Sequence, residues 1–286
     1  MTTTVGTVAP FGSAGALWRS TRWWSVAGAF LRRDTAIALS YRMPFVIGLV
    51  QSFLSLGFLL FLGRLVGPRL SSSATGGSYF DFAVVGSTLL VMVSTTLVSM
   101  AQRLRTDQST GTLEVLFTMP CRPSLTVLAS STYQVLYSAL TGLVTLAIAT
   151  GLGLRFHLSA LGAVVALVSF LLALVLFVAA GVVLAAYVLV FKRGETLTSL
   201  VMTGISVIGG VYYPVALLPH ALRTVADILP FTWVVSMLRQ SLLYGQVPAG
   251  RLLQLVACDA VAVPVALALF TASLRHAQRR GTLGQY

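Results

Sequence analysis

The sequence predicts an all-α integral membrane protein with six transmembrane helices and both termini in the cytoplasm. Of its 286 residues, 57% are hydrophobic and only 9% are charged, and the mean hydropathy is +0.90. Soluble domains contain about one-quarter charged residues, whereas uncharged runs of about 20 residues are typical of membrane spans. Six such runs are present, one of them interrupted by a single carboxylate, and the basic residues lie at their edges.

These runs define the domain organisation. Residues 1–41 form a cytoplasmic N-terminal segment with an interfacial helix, and residues 42–286 form the six-helix transmembrane domain. The predicted spans cover about residues 43–63, 82–102, 124–151, 160–190, 197–213 and 252–274. At about 1.5 Å per residue, the uncharged stretches that contain them are long enough to cross a hydrocarbon core of about 30 Å.

The distribution of basic residues sets the predicted orientation. Placing both termini inside assigns most of the Lys and Arg to cytoplasmic segments, as the positive-inside rule requires. The inner set is Arg19, Arg22, Arg32, Arg33, Arg42, Arg103, Arg105, Arg122, Lys192, Arg193, Arg275, Arg279 and Arg280; the outer set is Arg64, Arg69, Arg155, Arg223, Arg239 and Arg251. The net charge of +12 therefore reflects topology. We expect no nucleic acid partner, because the cations do not cluster on one solvated face.

The motifs of common ATPases and membrane enzymes are missing from the sequence. A P-loop requires Gly-x-x-x-x-Gly-Lys-Ser/Thr, and the single lysine, Lys192, begins no such motif. His157, His220 and His276 are scattered near span ends without the spacing of a metal site. No Gly-x-Ser-x-Gly elbow or adjacent Cys and His pair offers a nucleophile. We expect no catalytic residue, metal site or cofactor in this chain.

A basic amphipathic segment precedes the first span. Residues 16–34 place Trp23, Ala27 and Phe30 or Leu31 at helical spacing beside several arginines. This pattern is typical of a helix that lies in the membrane interface. The helix is either a topology anchor alone or a functional element.

A polar connector, residues 103–122, follows the second span. Gly111 can be a helix N-cap with Glu114 at N3, where a carboxylate meets the free N–H groups and the positive end of the helix dipole. Residues 113, 116 and 117 then form an apolar i, i+3, i+4 stripe. We expect a short amphipathic helix, which either enters a partner's groove or lies on the membrane surface.

An apolar segment, residues 214–246, separates the fifth and sixth spans. It is interrupted by Pro214, Pro219 and Pro230, which leave pieces too short to span. We expect short re-entrant or interfacial helices, because backbone at membrane depth must keep its hydrogen bonds internal. These helices either form an outer gate or exit, with Arg239 holding an anionic group or a carboxylate such as Asp227, or they only cover the bundle while Arg239 extends to lipid headgroups.

Polar groups also occur within two spans. Hydroxyl residues of the second span, among them Thr88, Thr95 and Ser99, share one helical face. Close helix packing is the favoured interpretation and lining of a polar path the alternative. In the last span, Asp259 is either hydrated near the outer interface, because Arg251 is close in sequence, or takes part in proton coupling.

Together these features resemble the ABC-2 type transporter permeases, the membrane subunits of exporters such as the daunorubicin-export and polysaccharide-export systems. Residues 111–124, GTLEVLFTMPCRPS, are similar to the family's Gly-Thr-Leu-Glu followed by Leu-x-x-x-Pro. Residues 209–242, GGVYYPVALLPHALRTVADILPFTWVVSMLRQSL, are similar to its Pro-x-x-x-Leu-Pro, Leu-Pro and Arg pattern. Tyr213 stands where family members often have Phe.

The resemblance implies an exporter permease in the bacterial cell membrane, working as a dimer with itself or a related permease. A separate cytoplasmic ATPase dimer would bind ATP and Mg. Its contact would be the coupling residues Gly111, Thr112, Leu113, Glu114, Leu116 and Phe117. The outer gate or exit would comprise Tyr213, Pro214, Leu218, Pro219, Pro230 and Arg239. Expected substrates are amphipathic drugs, lipids, peptides or lipid-linked glycans. The rival function is an ion-coupled secondary transporter, which would require ion-binding side chains at mid-membrane.

Overall fold

The computed structural model describes residues 23–40, 43–66, 78–109, 123–157, 159–191 and 194–279. Within these ranges the chain forms helices and no strand, which confirms the all-α class. The helices are α1 (Trp23–Ser40), α2 (Met43–Val66), α3 (Tyr79–Ser109), α4 (Pro123–Gly151), α5 (Ala160–Phe191), α6 (Gly194–Ile208), α7 (His220–Ile228), α8 (Pro230–Leu243) and α9 (Ala249–Arg279), with a 3₁₀ turn at Val215–Leu217.

Five of these helices, α2, α3, α4, α5 and α9, are long and apolar enough to cross a membrane. The bent pair α7 and α8 gives a sixth crossing if its two helices are counted as one span. The protein is therefore a multi-pass membrane protein with five or six spans. The predicted boundaries of the first four spans and the last lie inside these helices.

The fifth predicted span, about residues 197–213, is shorter than expected. Helix α6 has 15 residues, which span about 22 Å, and it ends at Ile208. Gly210 has φ +67°, a conformation that glycine adopts without steric cost and that commonly terminates helices. The uncharged stretch continues beyond this break, so hydropathy alone placed the boundary too far along the chain.

Helices α3 and α5 form the centre of the bundle. Their buried side chains, including Val84, Met92 and Phe177, belong to one continuous apolar core. Helix α9 packs along α5, and α4 packs along α3. Helix α2 lies at the periphery and exposes apolar side chains such as Phe58 and Phe61, as a helix that faces lipid does.

Contacts between helix termini define two ends of the bundle. At the first, the starts of α3 and α5 meet the segment 209–245, where the His157 N–H donates to the Leu242 carbonyl at 3.1 Å. We call it the Arg239 end. At the second, the Asp34 end, α1 meets the last turns of α3. The positive-inside prediction places the Arg239 end outside the cell, and this orientation stays a prediction.

A partly buried ion pair fastens α1 to α3. The Asp34 carboxylate accepts hydrogen bonds from Nη1 and Nη2 of Arg103 at 2.7 and 3.1 Å and from Nε of Arg33 at 2.9 Å. Burial alone would raise the pKa of Asp34, but the hydrogen bonds and charges of Arg103 and Arg33 outweigh it and hold the pKa below its ordinary value. The carboxylate is therefore ionised at neutral pH, and the predicted interfacial helix is attached to a spanning helix.

We expect Asp34→Asn to lower the free energy of unfolding by about 1–2 kcal/mol, since Arg103 loses its charged partner. Thermal unfolding of the detergent-solubilised protein measures this loss. Because the folded pKa lies below the unfolded value of about 3.9, the stabilisation is present above that pH and disappears as the pH falls through the folded pKa.

Arg33→Gln is the matched control, because Arg33 is largely exposed and its contact is screened by solvent. Equal losses for the two variants, or an Asp34→Asn effect that persists unchanged in acid, would contradict this account of the ion pair.

Candidate functional site

The Arg239 end contains the break that follows α6. The Gly209 N–H donates to the Ile205 carbonyl at 2.8 Å, and the chain then turns away at Gly210. A Cβ on Gly209 would lie 2.4 Å from the Ile205 oxygen and 2.7 Å from the Phe231 ring, so no side chain fits there. Such a helix end leaves carbonyl groups that need donors from elsewhere.

The guanidinium of Arg239, on α8, donates to the carbonyls just beyond this helix end. Its Nη1 and Nη2 donate to the carbonyls of Gly210 and Val211, each at 2.8 Å. Its Nε donates to the Phe82 carbonyl in the first turn of α3 at 3.0 Å. The positive charge also lies near the C-terminal end of α6, where the helix dipole favours a cation. One side chain thus connects α8, the break and α3.

The surroundings of Arg239 are shaped to hold a planar group. Its Cζ lies 3.4 Å from the centroid of the Phe82 ring, a cation–π contact, and the side chain is buried. Gly86, one helical turn after Phe82, leaves the space that Nη2 fills: a Cβ there would lie 2.4 Å from Nη2 and 2.6 Å from the Val211 oxygen.

Each of the three prolines of the segment lies at the start of a helical piece or directly before it. Pro214 precedes the 3₁₀ turn, Pro219 precedes α7, and Pro230 is the first residue of α8. The Leu218 N–H donates to the Val215 carbonyl at 3.1 Å, which closes the 3₁₀ turn. Helices α7 and α8 bend by 81° at their junction. The prediction that proline cuts this segment into short helices is confirmed, and its role as a gate or exit stays a prediction.

Tyr213 is a second side chain that donates a hydrogen bond at the break. Its hydroxyl donates to the Val207 carbonyl in the last turn of α6. The family that the sequence resembles often has phenylalanine at this position, and phenylalanine cannot make this bond. The sequence alone did not reveal this structural role of the tyrosine.

The expected pairing of Arg239 with Asp227 is absent. Asp227 is exposed on α7, and its backbone carbonyl accepts a hydrogen bond from Nε1 of Trp233 at 2.7 Å. Arg239 does not extend to headgroups either, because its side chain is only 8% exposed. The unpaired carbonyls of the break attract the guanidinium inward, since a buried carbonyl without a donor costs about 1–3 kcal/mol.

A cavity of about 790 Å³ lies beside this cluster. Its polar wall includes Arg239, Thr232, Gln240, Arg251 and Gln254, and its apolar wall includes Phe82, Pro214, Val215 and Val235. Nη1 of Arg251 donates to Oγ of Ser236 at 2.6 Å, so both arginines are held by neutral partners. The cavity therefore combines two cationic groups with apolar surface.

Comparison with protein families identifies the chain. The model described as ABC-2 type transporter matches residues 28–243, most of the chain. The chain belongs to the ABC-2 type transporter family. It is a membrane permease of ABC-type transport, and members of this family associate with an ABC ATPase. The match includes the break and Arg239 and ends with α8, before α9. No curated protein matches the permease significantly.

The predicted path-lining residues of the permease lie on α3. Thr95 and Ser99 are partly buried and donate to carbonyls of their own helix, while Thr88 is buried and its hydroxyl has no partner within the described residues. Sequence reasoning missed Thr96, whose Oγ1 lies 3.2 Å from Oγ of Ser138 and joins α3 to α4. This bond supports the packing interpretation of α3, and path lining stays a prediction.

Asp259 is buried on α9, with 6% of its surface exposed. Neither carboxylate oxygen has a hydrogen-bond partner within the described part of the chain. The expectation that it is hydrated near the interface therefore differs from the structure. A buried carboxylate without a partner is costly in its ionised form, so Asp259 is the group that an ion-coupled mechanism would use.

The connector falls largely outside the described residues. Helix α3 continues through the start of the coupling segment to Ser109. The predicted coupling residues Gly111, Thr112, Leu113, Glu114, Leu116 and Phe117 lie in the range that is not described.

We expect Gly86→Ala to destabilise the permease, because the added methyl group displaces either the Arg239 guanidinium or the Val211 carbonyl. The expected loss is about 1–3 kcal/mol, measured by thermal unfolding in detergent. Gly57→Ala is the control, since a Cβ on Gly57 of α2 meets nothing within 4 Å. A Gly86→Ala protein as stable as the Gly57→Ala protein would contradict the tight fit.

Proposed function

We propose that this permease is the translocation subunit of an ATP-driven exporter, with the Arg239 end as its outer gate or exit. The observation that carries the proposal is the set of short pieces, α6 to α8, fastened to α3 by one buried arginine. Of these pieces, α6 and α8 also pack against α3 and α5, so they repack when the spanning helices move, which is what a gate requires.

The working unit is a dimer, formed with a second copy or with a related permease. Among the described residues, an apolar core between α3 and α5 fills the centre of one copy, which argues against a wide path there. A path for an amphipathic substrate therefore fits best at the boundary between two copies. Other exposed apolar surface, such as that of α2, suits membrane lipid.

A separate cytoplasmic ATPase dimer, which binds ATP and Mg, drives the movement. Helix α3 is continuous over 31 residues, about 46 Å, from the turn that contacts Arg239 to Ser109, inside the connector. A displacement at the coupling residues is therefore transmitted by a single rigid helix to Phe82 and the gate. The Asp34 and Arg103 ion pair fixes α1 to the same helix near its coupling end.

The substrate class follows from the character of the spans. Their low charge suits amphipathic drugs, lipids, peptides or lipid-linked glycans. Export is the direction that the resemblance implies, and it agrees with placing the Arg239 end outside.

Glu114→Arg tests the coupling, because it places a cation at the positive end of the predicted connector helix. We expect the variant to fold and reach the membrane but to lose most substrate-stimulated ATP hydrolysis and export when assembled with its ATPase. Co-purification and ATPase assays in vesicles measure both. Glu114→Asp, which keeps a carboxylate at the same position, is the matched control and should keep coupling.

Normal export and ATP hydrolysis by Glu114→Arg would overturn the coupling assignment. Transport by the permease alone, driven by an ion gradient and abolished by Asp259→Asn, would instead favour the ion-coupled secondary transporter.

A further inference from the structure

We propose that the cavity at the Arg239 end binds the phosphate head of an anionic amphiphile. Arg239 and Arg251 would contact the phosphate, and the apolar wall would contact the attached chain. Such binding would define the chemical class of the substrate, and its biological meaning rests on the proposed function.

The charge of Arg239 is the first reason. Its three observed acceptors are backbone carbonyls, which are neutral, and its ring contact is with Phe82. Neither Arg239 nor Arg251 forms an ion pair with a carboxylate of the described residues. A buried cation without a counter-charge is unfavourable, so the site attracts an anion.

Donor geometry is the second reason. Nη1 and Nη2 of Arg239 each carry two N–H groups, and the observed bonds use one of each. The guanidinium is held by its carbonyl bonds, so it loses little conformational freedom when an anion binds. Arg251 adds a second cation on the wall, and Thr232 adds a buried hydroxyl without a partner in the described chain.

The cavity also has the size and the mixed walls of a small-molecule site. Ligand cavities are commonly about 300–1,000 Å³ with a few polar groups on an apolar wall, and this one has about 790 Å³. The wall also carries one carboxylate, that of Asp227, which is exposed like Arg251, so the two arginines leave one positive charge in excess. Arginine forks match phosphate oxygens in geometry, and the apolar wall selects a phosphate that carries a lipid-like body.

Native mass spectrometry of the full-length permease in detergent tests the site with two lipids of identical chains, phosphatidylglycerol and phosphatidylcholine. We expect the protein to retain phosphatidylglycerol preferentially. Arg251→Gln should lower that retention roughly five- to tenfold, because one of two cations at the phosphate is lost. Arg251→Lys should restore part of it, since it keeps the charge without the fork.

Arg223→Gln is the matched control. It removes an equal charge from the exposed surface of α7, and Arg223 is not on the cavity wall. Equal retention of the two lipids, or an equal effect of Arg223→Gln and Arg251→Gln, would overturn the proposal. The assay contains no ATPase and no ATP, so a failure of the export proposal would leave its result unchanged.

A second arm separates a transported amphiphile from a resident bilayer lipid. The permease is assembled with its ATPase in vesicles of phosphatidylcholine with one-tenth phosphatidylglycerol, and bound lipid is measured before and during ATP hydrolysis. Bound phosphatidylglycerol that falls during turnover identifies the transported class, whereas constant retention that still depends on Arg251 identifies a resident lipid at the same site.

Discussion

The Arg239 end depends on one buried guanidinium. The chain beyond the end of α6 carries the carbonyls of Gly210 and Val211 in the interior of a membrane protein, where each needs a donor. Arg239 provides three donors in one plane, which a lysine's ammonium cannot reproduce because its hydrogens are not held in a fork. Gly86 is required by the same arrangement, because a side chain there would occupy the space of Nη2. Gly209 is required by the helix end itself, where a Cβ would meet the Ile205 carbonyl and the Phe231 ring.

Helix α3 extends this local arrangement to the other end of the bundle. It accepts the Arg239 contact in its first turn and the Asp34 contact, through Arg103, in its later turns. Its side chains are the most buried of the spanning helices, so it cannot move without repacking the core. A single central helix with an attachment at each end physically connects the Asp34 end of the permease with the Arg239 end.

Hydropathy and proline placement predicted most of the fold. Long uncharged runs identified the spanning helices, because each must bury no unpaired charge in lipid, and Pro214, Pro219 and Pro230 identified the short pieces. The end of α6 was misplaced because hydropathy is blind to backbone conformation, although the adjacent pair Gly209 and Gly210 was a visible helix-stop signal.

The partners of Arg239 were beyond the reach of the sequence. Its acceptors are carbonyls, which every residue has, and they come from segments far apart in the chain, so no side-chain pattern marks them. In the sequence, Gly86 looks like any other small residue of a span, and only the structure shows that Arg239 packs against it. The bond between Thr96 and Ser138 was missed for the same reason: Thr96 lies beside the hydroxyl face that periodicity emphasised.

The Arg239 guanidinium fastens the break after α6 to α3. The most direct test is the distance distribution between spin labels at Val91 of α3 and Leu217 of the 3₁₀ turn, both exposed, in a chain with Cys121 and Cys258 replaced by Ser. We expect one narrow distribution for native Arg239 and a broad one for both Arg239→Gln and Arg239→Lys. An equally narrow distribution in all three proteins would contradict it.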